Sequence, residues 1–372
     1  MSEIKKLKKN IGIILEDPRI GGPHKQLIYF INSLAKKDLF DKKIVLLLPK
    51  NLQNEIKNSF VIKETVNIKY LNFRNILTYL FSFYSDISKI TKYLKKNKID
   101  ILYVSGGIYC LKSIIAGFLS NKKVIWHIHD TNSNPIIKFI SKIFFNKVKK
   151  IIFVSEKSKK YYLEKYDKKA VILNSSIDTV FFKKKKKFKN NYLNVSMIAN
   201  INPDKDILTF LKVVQKINFL SKDVKFNLYG KIWNSQKNYF MKCNNFIFQN
   251  KIKNLKINKF SDNIKDIYNK SDIIVCTSKN ESLPLVICEA MSMSLPILST
   301  DVGDIKKYVN LKNLKSGFIF NQGDFKSFSN KILLLKNNKK LLKKLGENSR
   351  KVAIKKFDII QYKYDLLNII TK

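Results

Sequence analysis

The sequence predicts an α/β fold with two doubly wound parallel sheets. Short apolar runs alternate with helix-length amphipathic segments along most of the 372 residues. Near-continuous apolar strands of this kind are typical of parallel sheets covered by helices. A lysine run from Lys183 to Lys187 interrupts the alternation, which restarts behind it. We therefore expect two similar domains joined by a solvated linker.

The predicted elements follow the apolar runs in order. Strands are predicted at Ile11–Leu15, Lys43–Leu48, Ile101–Val104, Lys123–Ile128, Lys150–Val154, Leu193–Ile198, Lys225–Leu228, Ile273–Cys276 and Leu295–Ser299. Helices are predicted at His24–Lys36, Tyr109–Leu119, Glu156–Tyr166 and Ile207–Phe219. The predicted domains are residues 1–182 and 192–356, with a linker at 183–191 and a last helix at 357–372. Domains of this type bind ligands at the carboxyl ends of their strands.

The charge of the chain is extreme, with 72 basic against 28 acidic residues and a net charge of +44. Such a charge suggests a polyanionic partner. Only three of the basic residues are arginine and 69 are lysine, beside 39 asparagines. Lys, Asn and Ile share A/T-rich codons, and proteins that read specific bases favour the arginine fork. The charge therefore predicts no specific nucleic-acid partner.

Several features favour a cytoplasmic protein. The four cysteines are scattered, and their spacing is typical neither of a disulfide framework nor of a zinc site. This pattern indicates reduced cytosolic thiols. The apolar run Ile11–Leu15 is too short for a signal peptide, and no apolar stretch has the length of a spanning helix. The segment Asn72–Lys98 mixes aromatic residues with lysines. It is predicted either to pack on the sheet or to lie on a membrane surface.

The most specific pattern covers residues 271–304, which read SDIIVCTSKNESLPLVICEAMSMSLPILSTDVGD. A buried strand is followed by a loop and then a helix, with Pro284 in its first turn and Ser282 as its N-cap. Glu281 lies in the loop and Glu289 in the second turn of the helix. This spacing would place the two carboxylates near opposite ends of one small ligand. The N–H groups around Ser282–Leu285 point along the helix dipole toward the position of an anion.

This segment resembles the retaining glycosyltransferases of the GT-B fold, family 4, whose pattern is Ser-x-x-E-G-x-P-x-x-x-x-E-A-M-A-x-G-x-P-V. The residues in register are Ser278, Glu281, Pro284, Glu289, Ala290, Met291 and Pro296. Ser282 and Ser294 stand where the family has glycine. The alternative is an ordinary α/β unit with two solvated glutamates. The resemblance implies two Rossmann-like domains facing across a cleft, with a C-terminal helix returning toward the N-terminal, acceptor-side domain.

The resemblance also implies roles for individual residues. Glu281 would contact the hydroxyls of the donor sugar, and Glu289 the ribose of the nucleotide. The backbone of Ser282, Leu283 and Pro284 would approach the phosphates and the sugar. Residues 198–210 resemble the family's diphosphate-binding segment, with Lys205 in the lysine position. There Asn200 replaces an arginine, which removes a fork that could grip two phosphate oxygens, and Asp206 replaces a glycine.

Two further positions belong to the N-terminal domain. Gly21-Gly22 resembles the family's Gly-Gly loop, where backbone meets donor phosphate and acceptor; a plain turn is the alternative. The resemblance places His129 on the acceptor side, near the reacting sugar carbon. His127 and His129 share one face of a strand, but no third metal ligand stands at a recognisable spacing. The alternative is two strand-end histidines satisfied by backbone.

Together these features predict a glycosyltransferase (EC 2.4) that moves a sugar, with retention, from a nucleotide-diphosphate donor to a glycan or lipid-linked acceptor. We expect bacterial surface polysaccharide or lipopolysaccharide synthesis, no cofactor and no metal. An anionic membrane surface at the inner face of the cell membrane is a further expected partner. The alternatives are a non-catalytic GT-B-like or polyanion-binding protein, and a GT-B epimerase or phosphorylase.

Overall fold

The chain forms two compact units in the computed structural model, which describes residues 9–18, 21–35, 42–65, 67–70, 76–163, 167–184, 191–259 and 263–371. Unit 1 comprises Met1–Ser176 and Ile359–Lys372, and unit 2 comprises Ile177–Asp358. Residues 185–190 of the predicted linker and 72–75 of the predicted amphipathic segment lie outside the described residues.

Unit 1 contains a seven-stranded parallel sheet. Its strands are β1 Ile11–Ile14, β2 Ile44–Leu48, β3 Ile62–Thr65, β4 Ile101–Gly106, β5 Lys123–Ile128, β6 Lys150–Phe153 and β7 Ala170–Ile172, in the order β3-β2-β1-β4-β5-β6-β7. Its helices are α1 Gly22–Ser33, α2 Ile76–Phe81, α3 Phe83–Lys96, α4 Leu111–Leu119, α5 Pro135–Phe145 and α6 Glu156–Tyr162, with a 3-10 turn at Lys50–Glu55. Two apolar cores are built on the sheet, one with α1 and one with α3, α4 and α5.

Unit 2 contains a six-stranded parallel sheet. Its strands are β8 Leu193–Ile198, β9 Val224–Gly230, β10 Leu255–Lys259, β11 Ile273–Cys276, β12 Ile297–Thr300 and β13 Gly317–Phe320, in the order β10-β9-β8-β11-β12-β13. Its helices are α7 Ile207–Leu220, α8 Lys237–Gln249, α9 Ile264–Lys270, α10 Leu285–Ser292, α11 Ile305–Val309, α12 Phe325–Asn337 and α13 Lys339–Lys356, with 3-10 turns at Pro203–Lys205 and Asn234–Gln236.

The last helix, α14 (Ile359–Thr371), belongs to unit 1. Tyr362 packs edge-to-face on Phe30 of α1 at 6.2 Å between ring centroids. The Lys363 ammonium donates to the Ser33 carbonyl at 3.4 Å. The C-terminal helix therefore completes the core of the N-terminal unit, as predicted. Among the described residues, no helix is long and apolar enough to cross a membrane.

All nine predicted strands are present, with ends that differ by no more than two residues. Four strands were not predicted, namely β3, β7, β10 and β13. Each of them is the outermost strand of its sheet. Two of these edge strands carry a weak apolar signal, since β3 reads IKET and β10 reads LKINK. The other two are apolar but short, since β7 reads AVI and β13 reads GFIF.

Candidate functional site

Three of the predicted site residues gather at one point of the unit 2 sheet. The central strands β8 and β11 are adjacent. From them the sheet extends to β10 on one side and to β13 on the other. The loops after β8 and β11 leave the sheet at the same, carboxyl edge. Open α/β sheets bind ligands in the crevice at such a switch point. Asn200, Lys205 and Glu281 all lie in these two loops.

The loop after β8 is held in a defined conformation. The Asn202 side chain accepts from the Lys205 N–H at 3.1 Å and so caps the short 3-10 turn. Asp206 then adopts a left-handed backbone, with φ of +46°, and accepts from the Thr209 hydroxyl at 2.7 Å. Glycine adopts this conformation most easily, and aspartate is one of the residues that tolerate it. This explains how Asp206 can occupy a position where the family that this segment resembles has glycine.

The same loop begins close to a neighbouring strand. Asn200 is half-buried and lies two residues after the end of β8. A side chain on Gly230, at the end of β9, would place its Cβ only 1.9 Å from the Ala199 carbonyl oxygen. The backbone that leads into the site is therefore in close contact with β9.

Hydrogen bonds join the loop after β8 to the loop after β11. The Thr277 hydroxyl lies 3.1 Å from the Lys205 carbonyl and 3.0 Å from the Asp206 carbonyl, both of which can accept its proton. The Lys279 N–H donates to the Asp204 carbonyl at 2.7 Å. These contacts fix the two loops relative to each other, so the side chains that they carry also keep a fixed spacing.

Lys205 and Glu281 form the charged centre of the site. The Lys205 ammonium donates to Oε1 of Glu281, and the Ser278 hydroxyl donates to the same oxygen at 2.9 Å. The two charged side chains are 25% and 14% exposed, which leaves part of each accessible to a ligand. Burial disfavours the Lys205 ammonium, but the charge and hydrogen bond of Glu281 outweigh it and raise the pKa of Lys205. Lys205 is therefore a permanent cation.

The loop before α10 corrects one prediction. The helix begins at Leu285 with Pro284 as its N-cap, so Ser282 is not the cap. The Ser282 carbonyl instead accepts from the Asp304 N–H at 3.1 Å. This contact pins Ser282 to the loop after β12 and delays the start of the helix. Leu283 is buried, and the first N–H groups of α10 have no acceptor within the helix.

Glu289 lies in the second turn of α10, as predicted, and is 1% exposed. Its Oε2 accepts from the Tyr268 hydroxyl at 2.7 Å. Tyr268 lies on α9 and is itself buried. Sequence reasoning missed Tyr268, because a tyrosine in a short amphipathic segment gives no sign of the carboxylate that it contacts. The structure shows that Glu289 is held in place by a neighbour as well as by its own helix.

Gly21 and Gly22 lie at the start of α1 in unit 1. The Gly21 N–H donates to Nδ1 of His24 at 3.3 Å, and Nε2 of His24 lies 2.6 Å from the Asp17 carbonyl. Neither glycine has a positive φ, and a Cβ on Gly22 would meet no atom of the described residues within 4 Å. The described part of the fold therefore does not require glycine at these positions, and it leaves space beside Gly22.

His129 follows the end of β5 and is half-buried. Its Nε2 lies 3.2 Å from the Ser105 hydroxyl, and its ring stacks on His127 at 4.1 Å. Burial, with a smaller contribution from His24, lowers the pKa of His129 to about 3. His127 is buried, and its Nδ1 lies 2.6 Å from the Tyr103 hydroxyl. In the described part of the chain, no group of three or more His, Cys, Asp or Glu side chains could hold a metal ion.

Known proteins match both units. Residues 178–352 match the family model "Glycosyl transferases group 1", and residues 27–181 match "Glycosyltransferase Family 4". The chain is 25% identical over 357 residues to an uncharacterised glycosyltransferase of Haemophilus influenzae, covering 92% of this chain and 94% of that protein. It is 27% identical over 175 residues to the UDP-Gal:alpha-D-GlcNAc-diphosphoundecaprenol alpha-1,3-galactosyltransferase of Escherichia coli, covering 46% and 44%.

The fold has close counterparts among solved structures. Anabaena Alr3699/HepE, in complex with UDP and glucose, aligns with a TM-score of 0.81 at 15% identity, covering 97% of this chain and 98% of that chain. The two parallel-sheet units match the Rossmann-like domains of such proteins. Together, the family models, the relatives and the fold place this chain among the glycosyltransferases of the GT-B fold.

Proposed function

We propose that the chain transfers a sugar from a nucleotide-diphosphate donor to a hydroxyl of a glycan or lipid-linked acceptor, with retention at the anomeric carbon. The observation that carries the proposal is the cluster of Lys205, Glu281 and Ser278 at the switch point of unit 2. It combines a permanent cation for the diphosphate with a carboxylate for sugar hydroxyls. HepE, a protein of the same fold, has been solved in complex with UDP and glucose.

The ion pair suggests how the donor binds. In the ligand-free protein Glu281 neutralises Lys205. A bound diphosphate competes for the same ammonium with a higher charge, and this frees Glu281 to accept hydrogen bonds from sugar hydroxyls. The first N–H groups of α10 stabilise the same anion, and Glu289 holds the ribose. Leaving-group charge is thus stabilised by Lys205 and backbone, without a metal.

We assign the acceptor to residues of unit 1. The acceptor oxygen bonds to the anomeric carbon, the bond from that carbon to the phosphate oxygen breaks, and the acceptor proton passes to the leaving diphosphate. His129, neutral because of its low pKa, offers a hydrogen bond near the reacting carbon, and the open space beside Gly22 admits the donor phosphate or the acceptor.

The relatives support the proposed acceptor class. The E. coli relative acts, by its name, on a sugar linked to diphosphoundecaprenol. We place the chain in bacterial surface polysaccharide or lipopolysaccharide synthesis, at the cytoplasmic face of the membrane. A thermal-shift panel of UDP, GDP, ADP and their sugars tests the proposal, and UDP or a UDP-sugar is expected to raise the unfolding temperature. No shift with any nucleotide would overturn it. Release of free sugar, epimer or sugar phosphate would instead indicate an epimerase or phosphorylase.

A further inference from the structure

Three buried polar side chains lie behind His129 in unit 1. Tyr103 and Ser105 lie on β4, and His127 lies on β5. In the parallel register Ser105 is opposite His127, and side chains alternate along a strand, so all three face the same side of the sheet. Each of them is at most 1% exposed. We call these three side chains the polar row.

Contacts join the polar row to His129. Nδ1 of His127 lies 2.6 Å from the Tyr103 hydroxyl, and Nε2 of His129 lies 3.2 Å from the Ser105 hydroxyl. The rings of His127 and His129 stack at 4.1 Å between centroids, with 29° between their planes. Buried polar groups are expensive unless their hydrogen bonds are made, so the positions of the protons in this row follow from its partners.

The proton of His127 is placed by its surroundings. Burial, with a smaller contribution from His129, lowers the pKa of His127 well below its usual value, so the ring is neutral and carries one N–H. Its Nε2 has no hydrogen-bond partner among the described residues. A buried N–H without an acceptor is rarer and more costly than a lone pair without a donor. The proton of His127 is therefore on Nδ1, which donates to the Tyr103 oxygen.

Tyr103 orients the hydroxyl of Ser105. Burial raises the pKa of Tyr103 well above its usual value, so the phenol keeps its proton. Within this shift, a hydrogen bond with Ser105 lowers the pKa of Tyr103, whereas one with Tyr362 of α14 raises it. Ser105 is therefore a donor to the phenol oxygen, and Tyr103 donates its own proton to Tyr362. With His127 and Ser105 as its two donors, the phenol oxygen has used both of its lone pairs.

Ser105 in turn sets the tautomer of His129. Because the Ser105 proton is donated to Tyr103, the Ser105 oxygen accepts from Nε2 of His129. His129 is neutral, so a proton on Nε2 leaves Nδ1 with a lone pair. We propose that the polar row positions His129 in this tautomer, so that Nδ1 accepts a hydrogen bond from a hydroxyl of the sugar or the acceptor. The role of Nδ1 rests on the proposed function, whereas the tautomer does not.

Nitrogen NMR of the full chain with isotope-labelled histidine rings tests the tautomer directly. The chain contains only three histidines, so the spectrum is simple to assign. Correlations between ring protons and ring nitrogens show which nitrogen carries the proton. We expect Nδ1–H for His127 and Nε2–H for His129. In the variant Tyr103→Phe the Ser105 hydroxyl loses its acceptor and turns to His129, which should shift His129 toward the Nδ1–H tautomer.

The matched control is Tyr93→Phe. Tyr93 on α3 is also a buried tyrosine of unit 1, and its hydroxyl has no hydrogen-bond partner among the described residues. The control should leave both tautomers unchanged. Turnover gives a second measurement, as UDP release from the UDP-sugar that gives the largest thermal shift. Tyr103→Phe should lower kcat about tenfold with unchanged UDP affinity, because His129 is misoriented while the donor site in unit 2 is untouched. Tyr93→Phe should keep kcat.

Three results would overturn the proposed tautomer: a proton on Nδ1 of His129 in the unchanged protein, an unchanged His129 in Tyr103→Phe, or an equal change in Tyr93→Phe. A full kcat in Tyr103→Phe, despite a shifted tautomer, would overturn the positioning role. The NMR measurement needs no ligand. Failure of every nucleotide to raise the unfolding temperature, with the tautomers as expected, would therefore contradict only the glycosyl transfer.

Discussion

Lys205 and Glu281 are 76 residues apart in the sequence and form an ion pair at the switch point of the unit 2 sheet. The pair exists because β8 and β11 are neighbours, although they are separated along the chain by β9 and β10. A ligand that binds here meets both charges at once. Substitution of either residue of the ion pair therefore tests the chemistry of the site most directly.

Lys205→Met should weaken nucleotide binding. The substitution keeps most of the side-chain volume and removes the cation that meets the diphosphate, so we expect a loss of about 2 kcal/mol, or roughly thirtyfold, in UDP affinity. Isothermal titration with UDP measures the effect. The control is Lys279→Met, since the exposed Lys279 carries the same charge in the adjacent loop. Equal losses of UDP affinity in both variants would show that UDP binding depends only on the overall positive charge around the site and not on the position of Lys205.

Substitutions of Glu281 and Glu289 should have different effects on turnover and on UDP binding. Glu281→Gln removes a charge that we assign to the donor sugar, and it should lower kcat about a hundredfold with little change in UDP affinity. Glu289→Gln should chiefly weaken UDP binding, because we assign this carboxylate to the ribose. Steady-state kinetics and titration measure the two effects. Both assignments are wrong if each variant retains full activity.

Much of the fold was predictable because buried strands have a local signature. All strands in the sheet interiors were found from their apolar runs, whereas the edge strands β3, β7, β10 and β13 were missed. An edge strand such as β10, with alternating lysines, resembles an exposed segment until its partner is known. Strand identity at an edge is decided by pairing across the sheet, which single-sequence patterns do not contain.

The site was predictable only as far as family resemblance reached. The resemblance singled out Lys205 and Glu281 separately, and the structure places them in contact. It gave no sign of Tyr268, which donates to Glu289. The residue pattern itself led to Ser282 as the N-cap, although the contact from Asp304 commits the Ser282 carbonyl to another loop. Contacts between loops distant in sequence decide such details.

Gly303 supports the site loop sterically, and its replacement should disable the site. Its φ is +54°, and a Cβ there would lie 1.8 Å from the Ser282 carbonyl oxygen. Gly303→Ala must therefore displace residues 281–284, so we expect lost UDP binding together with lower stability. The control is Gly323→Ala, where φ is +79° but no atom lies within 4 Å. This control should show only the backbone strain, about 1 kcal/mol, with UDP binding retained.

Ser294 occupies a strained backbone position, and Ser294→Gly should stabilise unit 2. Its φ is +58°, in the left-handed region where glycine is favoured. Relief of this strain should contribute about 1 kcal/mol, or roughly 2 °C in the unfolding temperature. Calorimetry measures the change. Ser294→Ala keeps the Cβ and serves as the control, so equal stabilisation by both variants would rule out backbone strain as the cause.

Glu16 should make the stability of unit 1 dependent on pH. It is 2% exposed, its Oε1 accepts from the Ser113 N–H at 2.9 Å, and its Oε2 has no partner among the described residues. Burial raises the pKa of Glu16 from 4.5 to about 7, partly offset by Ser113 and Lys112. Between these values the folded protein holds a proton that the unfolded chain has lost. The contribution of Glu16 to stability is thus fully present below pH 4.5 and is lost as pH rises toward about 7.

Glu16→Gln isolates this effect, because glutamine keeps the shape and the acceptor for Ser113 but does not ionise. Other titrating groups are common to both proteins and cancel in the difference. The free energy of unfolding of the variant, relative to that of the unchanged protein, should therefore rise from pH 5 to about pH 7 and then level off, with a slope on the order of 1 kcal/mol per pH unit in the steepest part. Differential scanning calorimetry at intervals of about half a pH unit resolves the slope. A constant difference across this range would mean that Glu16 ionises alike in the folded and unfolded chain.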